Sequence, residues 1–318
     1  DGNTSNRNYP VQVMVNGNNI PLTGIVKVAA GADSSVAIDG QGKVWHWGYW
    51  NNNYHSAATQ VNMGNNKAVD VAVTRVDGVT HVYALMENGV VVTNAGGSII
   101  NGDVANQAKY VISISTTGVS GNQLVALRSD GLVYYDLTNL ATGETSRLNN
   151  KIEKVDDAKS EDVYQRNFVA VEGGGAGHLI LLGDNNKTVY EYDPSQALAS
   201  DKLVKRLDGY TEGGSYLYVT GISIGDEVKA SGSATLLVTG DLATAHNAQP
   251  GGRVNVTTAG VAYAWGDNSL YQTGTTLSDG GNTVISNTAP ERVLLGYNEP
   301  GFSNEINKFV NVNMAAAG

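Results

Sequence analysis

One strand phrase recurs five times, helical periodicity is nearly absent, and the composition is rich in turn formers. Together these predict an all-β protein, a β-propeller of short repeats. Gly supplies 39 of 318 residues, well above the usual ~7%. Asn comes in runs such as Asn51-Asn52-Asn53. Both residue types tolerate positive φ, so the chain is built for tight turns. Hydrophobic residues make up 41%, enough for a packed core. Pro numbers only 6 and Gly has no three-residue period, which excludes collagen-like and disordered classes.

The repeated phrase is a set of three short strands with turns between them. The first copy runs Val26-Lys27-Val28-Ala29-Ala30, Val36-Ala37-Ile38, a turn at Asp39-Gly40, then Val44-Trp45-His46-Trp47-Gly48. The second runs Val69 to Val73, His81 to Leu85, a turn at Asn88-Gly89, then Val90 to Val92. The third uses Val111 to Ile114, Leu124 to Leu127, Asp130-Gly131 and Val133 to Tyr135. The fourth uses Phe168 to Val171, His178 to Leu182, Asp184-Asn185 and Val189 to Tyr192. The fifth uses Gly221 to Ile224, Thr235 to Val238 and, after an insertion, Val261 to Asp267.

The third-strand markers Val44, Val91, Val133, Val189 and Ala262 lie roughly 47, 42, 56 and 73 residues apart, close to the ~40–50 of a propeller blade. A helical repeat would carry a 3.6-residue apolar period, and none is present. A β-sandwich would share the strands but not the recurrence of one phrase in one order. The expected organisation is a single propeller domain over 1–318. Its repeats span about 9–56, 57–107, 108–147, 148–205 and 206–288, with a partial copy at 289–318.

Charge narrows the partners. Lys plus Arg is 20 and Asp plus Glu is 30, a formal net charge of −10. Nucleic acid and anionic membrane surfaces reward clustered basic residues, so neither is expected as a partner. No run of 18 apolar residues exists, so no helical membrane span is expected. There is no cysteine, which excludes disulfides, thiolate metal sites and a cysteine nucleophile. The opening Asp1-Gly2-Asn3-Thr4-Ser5-Asn6 is no signal peptide and lacks an initiator Met, so the chain looks processed or excised.

These phrases resemble the regulator of chromosome condensation repeat family. Its blades read, roughly, Pro-x-x-Val, then Val-x-x-Ala-Ala-Gly-x-x-His-Ser-x-Ala-Leu, then Asp-Gly-x-Val-x-x-Trp-Gly-x-Asn, then Gly-Gln-Leu-Gly. Pro10-Val11-Gln12-Val13, Val28-Ala29-Ala30-Gly31 and Gly40 to Gly48 match in the first copy. Ala264-Trp265-Gly266-Asp267-Asn268 and Tyr271-Gln272-Thr273-Gly274 match in the fifth. The family histidine position holds His81 and His178, but Ser34, Gln123 and Thr235 elsewhere. The middle copies keep the strands and lose Trp-Gly. The resemblance implies a propeller of six or seven blades, here five complete copies and a split sixth. Asp1 to Pro10 look like the tail of a preceding repeat, and Phe309 to Gly318 look like Val26 to Gly31. Open blade edges at 1–13 and 305–318 are therefore expected to take identical subunits or a protein partner, since an edge strand accepts a strand through its main chain.

No catalytic constellation stands out, and no enzymatic activity is expected. The five histidines, His46, His55, His81, His178 and His246, show no metal-binding spacing. His81 and His178, at one repeat position, are expected to be structural. Gly173 to Gly177 is followed by a strand rather than a helix, so it reads as a tight loop and not a phosphate cradle. Asp184-Asn185-Asn186, Asp267-Asn268 and Asp279 to Asn282 offer oxygens for calcium but lack the spaced calcium loop. No cofactor is expected, calcium being the one weighed.

Two features point to binding. Trp45 and Trp47 share a strand face, with His46 on the other, and Trp47 reads as inter-blade core. Tyr49, Trp50 and Tyr54 follow among asparagines, beyond the strand, where aromatics stack on sugars or anchor proteins. The second feature is the insertion at about 241–258, with His246, Pro250 and Arg253 as candidate contacts, because projections from a regular scaffold carry function.

The leading expectation is a non-enzymatic, extracellular or surface-displayed bacterial propeller. It would serve as a binding or assembly module in adhesion, a pilus or a fibre. The family alternative is nucleotide exchange on a small GTPase. Inhibition of a secreted enzyme through aromatic loops, and polysaccharide chemistry on a propeller, are further alternatives; fold alone decides none of them.

Overall fold

The structure, a computed structural model, describes residues 9–16, 20–31, 33–50, 52–96, 98–100, 111–118, 124–129, 131, 133–135, 150–151, 168–193, 196, 203–209, 211–212, 214–225, 235–244, 258–267, 278–279, 282–283 and 286–293. They form an all-β propeller of short antiparallel sheets. The chain divides into two compact units, 1–152 and 153–318.

The first unit opens with β1 (Met14–Val15) and β2 (Ile20–Pro21). Its first blade is β3 (Ile25–Gly31), β4 (Ser34–Asp39), β5 (Val44–Trp50) and β6 (Asn53–Val61). The sheet order is β2-β1-β6-β5-β4-β3, with β1 joining β6 in parallel through Val15 and Ala58. The second blade is β7 (Ala68–Val76), β8 (Val79–Met86), β9 (Val91–Thr93) and β10 (Ser98–Ile100). The third is β11 (Val111–Thr116), β12 (Leu124–Arg128), β13 (Val133–Tyr135) and β14 (Asn150–Lys151).

Local chemistry sets the turns. Asp77 and Gly78 both take positive φ, 51° and 80°, as a two-residue hairpin turn with the strands' own twist requires. Asp39 closes the β4–β5 turn by accepting from the amides of Gln41 and Lys43 at 2.9 and 3.0 Å.

Stacking of blades makes the core. On β8, Val82, Ala84 and Met86 pack toward Val36, Ile38 and Val44 of the first blade. Tyr83 and Leu85 pack toward Val111, Ile114, Leu124 and Ala126 of the third. A strand apolar on both faces loses the polar alternation of a half-exposed sheet. That is why the middle copies read as short apolar runs.

Asp70 pins three blades together. It is buried, pairs with Lys27 of the first blade, and accepts from Ser113 Oγ at 3.0 Å and the Ile114 amide at 2.9 Å in the third.

The second unit contains β15 (Phe168–Gly173), β16 (Leu179–Gly183), β17 (Thr188–Tyr192) and β18 (Leu203–Asp208) in sequential order. The glycine-rich run is a one-turn 3₁₀ element, Gly175–Gly177, leading straight into β16. It is the tight connection expected from the sequence. The next sheet holds β19 (Thr211–Glu212), β20 (Ser215–Ile224), β21 (Thr235–Thr244), β22 (Thr258–Asp267) and, after a small hairpin of β23 (Ser278–Asp279) and β24 (Asn282–Thr283), β25 (Ser286–Arg292). Ile180, Leu182 and Val189 pack against Leu236, Val238, Tyr263 and Trp265 between these sheets. β20, β21 and β22 are ten residues each, longer than their counterparts, and pairings such as Ser215 with Thr244 and Leu242 with Thr258 form the base of the inserted hairpin. Residues 245–257, with His246, Pro250 and Arg253, lie outside the described residues. So do residues 1–8 of the expected edge at 1–13, and all of 305–318.

Candidate functional site

The candidate site is the β5–β6 hairpin. Residues 49–50 and 53–54 belong to the strands themselves, which corrects the expectation of a loop beyond them. Pairing runs His46 with Thr59, then shifts to Gly48 with His55, Tyr49 with Tyr54 and Trp50 with Asn53. Trp47 alone on β5 therefore faces three residues on β6. Such a bulge bends the hairpin and re-aims its side chains. Gly48 allows it: φ is 95°, and a Cβ would collide with the Asp33 carbonyl.

The tryptophans also depart from expectation. In β5, His46 faces the second blade and is 2% exposed, while Trp45 and Trp47 are half-buried. Trp265, at the position of Trp47 in the fifth copy, is fully buried against the preceding blade. Trp47 faces the side of the first blade away from the second. Its neighbour Trp45 is tied down by donating its Nε1–H to Asp39 at 2.9 Å.

Tyr49 and Tyr54 form a supported aromatic ledge. Their rings meet edge to face at 4.9 Å. The Arg75 guanidinium lies 3.8 Å over the Tyr49 ring and is paired with Asp33 at 2.5 Å. The Tyr49 carbonyl accepts from Ser34 Oγ at 2.7 Å and from Thr80 Oγ1 of the second blade at 2.9 Å. Two blades thus hold Tyr49 in place, and Tyr49 supports Tyr54, which is 63% exposed. Arg75 was not legible as a site residue, because it sits in another copy and only the stacking of blades brings it over Tyr49.

A cleft of about 490 Å³ opens beside the ledge, lined by His46, Trp50, His55, Thr59, Gln60 and Asn94 among others. No Asp, Glu, Lys or Arg lines it. Trp50 meets His46 edge-on at 4.2 Å, and His55 stands 6.1 Å from His46. His46 Nε2 and Thr59 Oγ1 are buried and have no hydrogen-bond partner. Burial, with the neighbouring His55 as a second cause and against a hydrogen bond to the Tyr49 backbone, pushes the His46 imidazole down to about 4. It is neutral at physiological pH.

The repeat-position histidines are built into blades. His178 is buried, with Nε2 3.3 Å from Asp193 and Nδ1 3.9 Å from Glu191. Arg206 donates to Glu191 at 2.7 Å. Burial opposes charge on Glu191, but His178 and Arg206 outweigh it and hold the carboxyl below its usual range. His81 is half-buried, and burial also lowers its pKa.

At the calcium candidate, Asn185 Oδ1 is taken by the amides of Lys187 and Thr188, both at 3.0 Å. This is the bonding of a turn residue. Among the described residues, no three His, Cys, Asp or Glu side chains gather to hold a metal. No helix of the described residues is long and apolar enough to cross a membrane.

Residues 25–55, from β3 into the hairpin, match the regulator of chromosome condensation (RCC1) repeat. The chain has a β-propeller fold whose first blade carries that repeat. Its fold is similar to that of human WBSCR16, at 15% identity and a TM-score of 0.50, over 87% of this chain and 68% of that one. It is also similar to yeast RCC1 (Prp20) solved with Kap60, at 14% identity and a TM-score of 0.52, over 88% of this chain and 65% of that one. The chain therefore spans about two thirds of each. No curated protein matches it in sequence.

Proposed function

We propose that this chain is a non-enzymatic binding module whose contact surface is the hairpin of Tyr49, Trp50 and Tyr54. The observation that carries the reading is the ledge itself. Tyr54 is exposed, yet its support is already ordered by Tyr49, Arg75 and Asp33. An aromatic held in place before contact loses little conformational entropy on binding. Tyr and Arg are also the residue types that dominate interface energetics. The partner is a protein, either another subunit of this chain or a different surface protein. Yeast RCC1 in its structure with Kap60 supports a protein as the partner to test first. A chain that is only 16% charged and lacks cysteine suits a surface or extracellular setting, in adhesion or in a fibre.

The test is site-specific photo-crosslinking. A photoreactive residue replaces Tyr54 in one preparation and the exposed Glu87 in a control, and both are irradiated in cells of the source organism. A discrete product at position 54 that is absent at 87 supports the reading, and its mass separates self-association from a second protein. Equal labelling at both positions refutes it. Where the partner is captured, Tyr54→Ala should weaken binding about 30-fold, the ~2 kcal/mol of an interface anchor.

A further inference from the structure

The cleft beside the ledge has a chemistry of its own. We propose that it binds a neutral saccharide, with the Trp50 indole as stacking platform and His46 Nε2 and Thr59 Oγ1 as hydroxyl anchors.

Four observations carry this. The lining has no Asp, Glu, Lys or Arg, so an ionic ligand would find no counter-charge. Its volume of about 490 Å³ falls within the ~300–1,000 Å³ of small-molecule sites. Two buried polar atoms, one on the 2%-exposed His46 and one on Thr59, lack partners. Buried polar groups cost stability unless something satisfies them. A neutral imidazole and a hydroxyl can each accept or donate, depending on tautomer or rotor. A sugar hydroxyl does the same, so it suits both anchors whichever tautomer is present. The indole supplies the apolar surface that the ring's C–H face needs.

Asn94 is fixed, since its Oδ1 accepts from the Val82 amide at 3.0 Å and its Nδ2 donates to the Thr80 carbonyl at 3.3 Å. Trp50 meets His46 edge-on and packs against the core of the first two blades. A ligand hydroxyl reaching Nε2 and a sugar ring against the indole both alter that contact. Binding therefore changes the Trp50 environment.

The experiment titrates the full chain with maltose, cellobiose, lactose and N-acetyllactosamine, with sialyllactose as the charged comparison, and follows tryptophan fluorescence. The expected result is saturable binding of at least one neutral disaccharide with a change in emission. Thr59→Val, which keeps shape and removes the hydroxyl, should weaken it at least 10-fold, and Trp50→Phe should remove the emission change. Tyr54→Ala should leave it intact, which separates this site from the protein-binding ledge. Circular dichroism checks that each variant folds, and if Trp50→Phe does not, Thr59→Val decides alone. Three results would each overturn the proposal. These are no neutral sugar bound at millimolar concentration, preference for sialyllactose, or affinity unchanged in Thr59→Val.

Discussion

Replacing Asp70 by Ala should be among the most damaging single changes in the first unit. The carboxylate is 3% exposed. It accepts from the Val71 amide at 2.8 Å, the Ile114 amide at 2.9 Å and Ser113 Oγ at 3.0 Å, and it pairs with Lys27. The Lys27 side chain is 44% exposed, so its ammonium returns to water in the variant and that arm is worth ~1 kcal/mol at most. The Ile114 amide has no such escape. It is buried, and losing a charged acceptor costs ~1.5–3 kcal/mol. The Ser113 hydroxyl adds about 1 kcal/mol. Together these give an expected loss of about 3–5 kcal/mol. Against a total of ~5–15 kcal/mol this is large. Urea unfolding followed by circular dichroism would show a much lower midpoint at unchanged slope. Lys27→Met leaves the buried carboxylate without its cation but with its three hydrogen-bond donors, and should cost less, about 1–2 kcal/mol. The reasoning fails if Asp70→Ala loses less than 1 kcal/mol, or if Lys27→Met loses as much as Asp70→Ala.

Other outcomes follow from the same geometry. Gly48→Ala forces a Cβ into the Asp33 carbonyl at positive φ and should cost more than about 2 kcal/mol, with loss of the Tyr49–Tyr54 contact visible in near-ultraviolet circular dichroism. Because folding lowers the His46 pKa from 6.5 to about 4, the unfolded chain binds the extra proton between those values. Stability should therefore be full above about pH 6.5 and fall toward pH 4 by up to about 3 kcal/mol, and His46→Gln should flatten that slope in urea titrations. Arg206→Met leaves the buried Glu191 carboxylate facing only His178 and should cost about 3 kcal/mol by thermal or urea unfolding. Tyr54→Ala, at a 63%-exposed position, should change stability by less than about 0.5 kcal/mol, so its effect on partner capture reads binding alone.

The propeller was legible because each blade repeats the same local problem. A strand phrase with Asp-Gly or Asn-Gly turns folds locally, and its recurrence is visible without knowing which residues touch. The Trp-Gly and Ala-Ala-Gly signatures of the first copy sufficed to name the repeat, and residues 25–55 match it. Of the candidate site, Tyr49, Trp50 and Tyr54 were found as an aromatic cluster. Their setting in strands was not, because asparagine-rich sequence reads as loop until pairing of Tyr49 with Tyr54 and Trp50 with Asn53 overrides it.

Contacts across blades were invisible for a different reason. Arg75 over Tyr49, Thr80 on its carbonyl, Asp70 between Lys27 and Ile114, and Asn94 beside His46 join residues some 25 to 50 positions apart. Nothing in the local pattern marks them, since each depends on how one blade twists against the next. The same holds for His46, which the sequence could place only opposite the tryptophans. Its burial between two blades, its neutral ring and its unpartnered nitrogen exist only once the blades are stacked. Composition and repetition determined that the chain would be a propeller and where its aromatics would cluster. Blade stacking decided which of them are clamped, which are exposed, and where a cleft opens, because those depend on long-range packing rather than on the phrase.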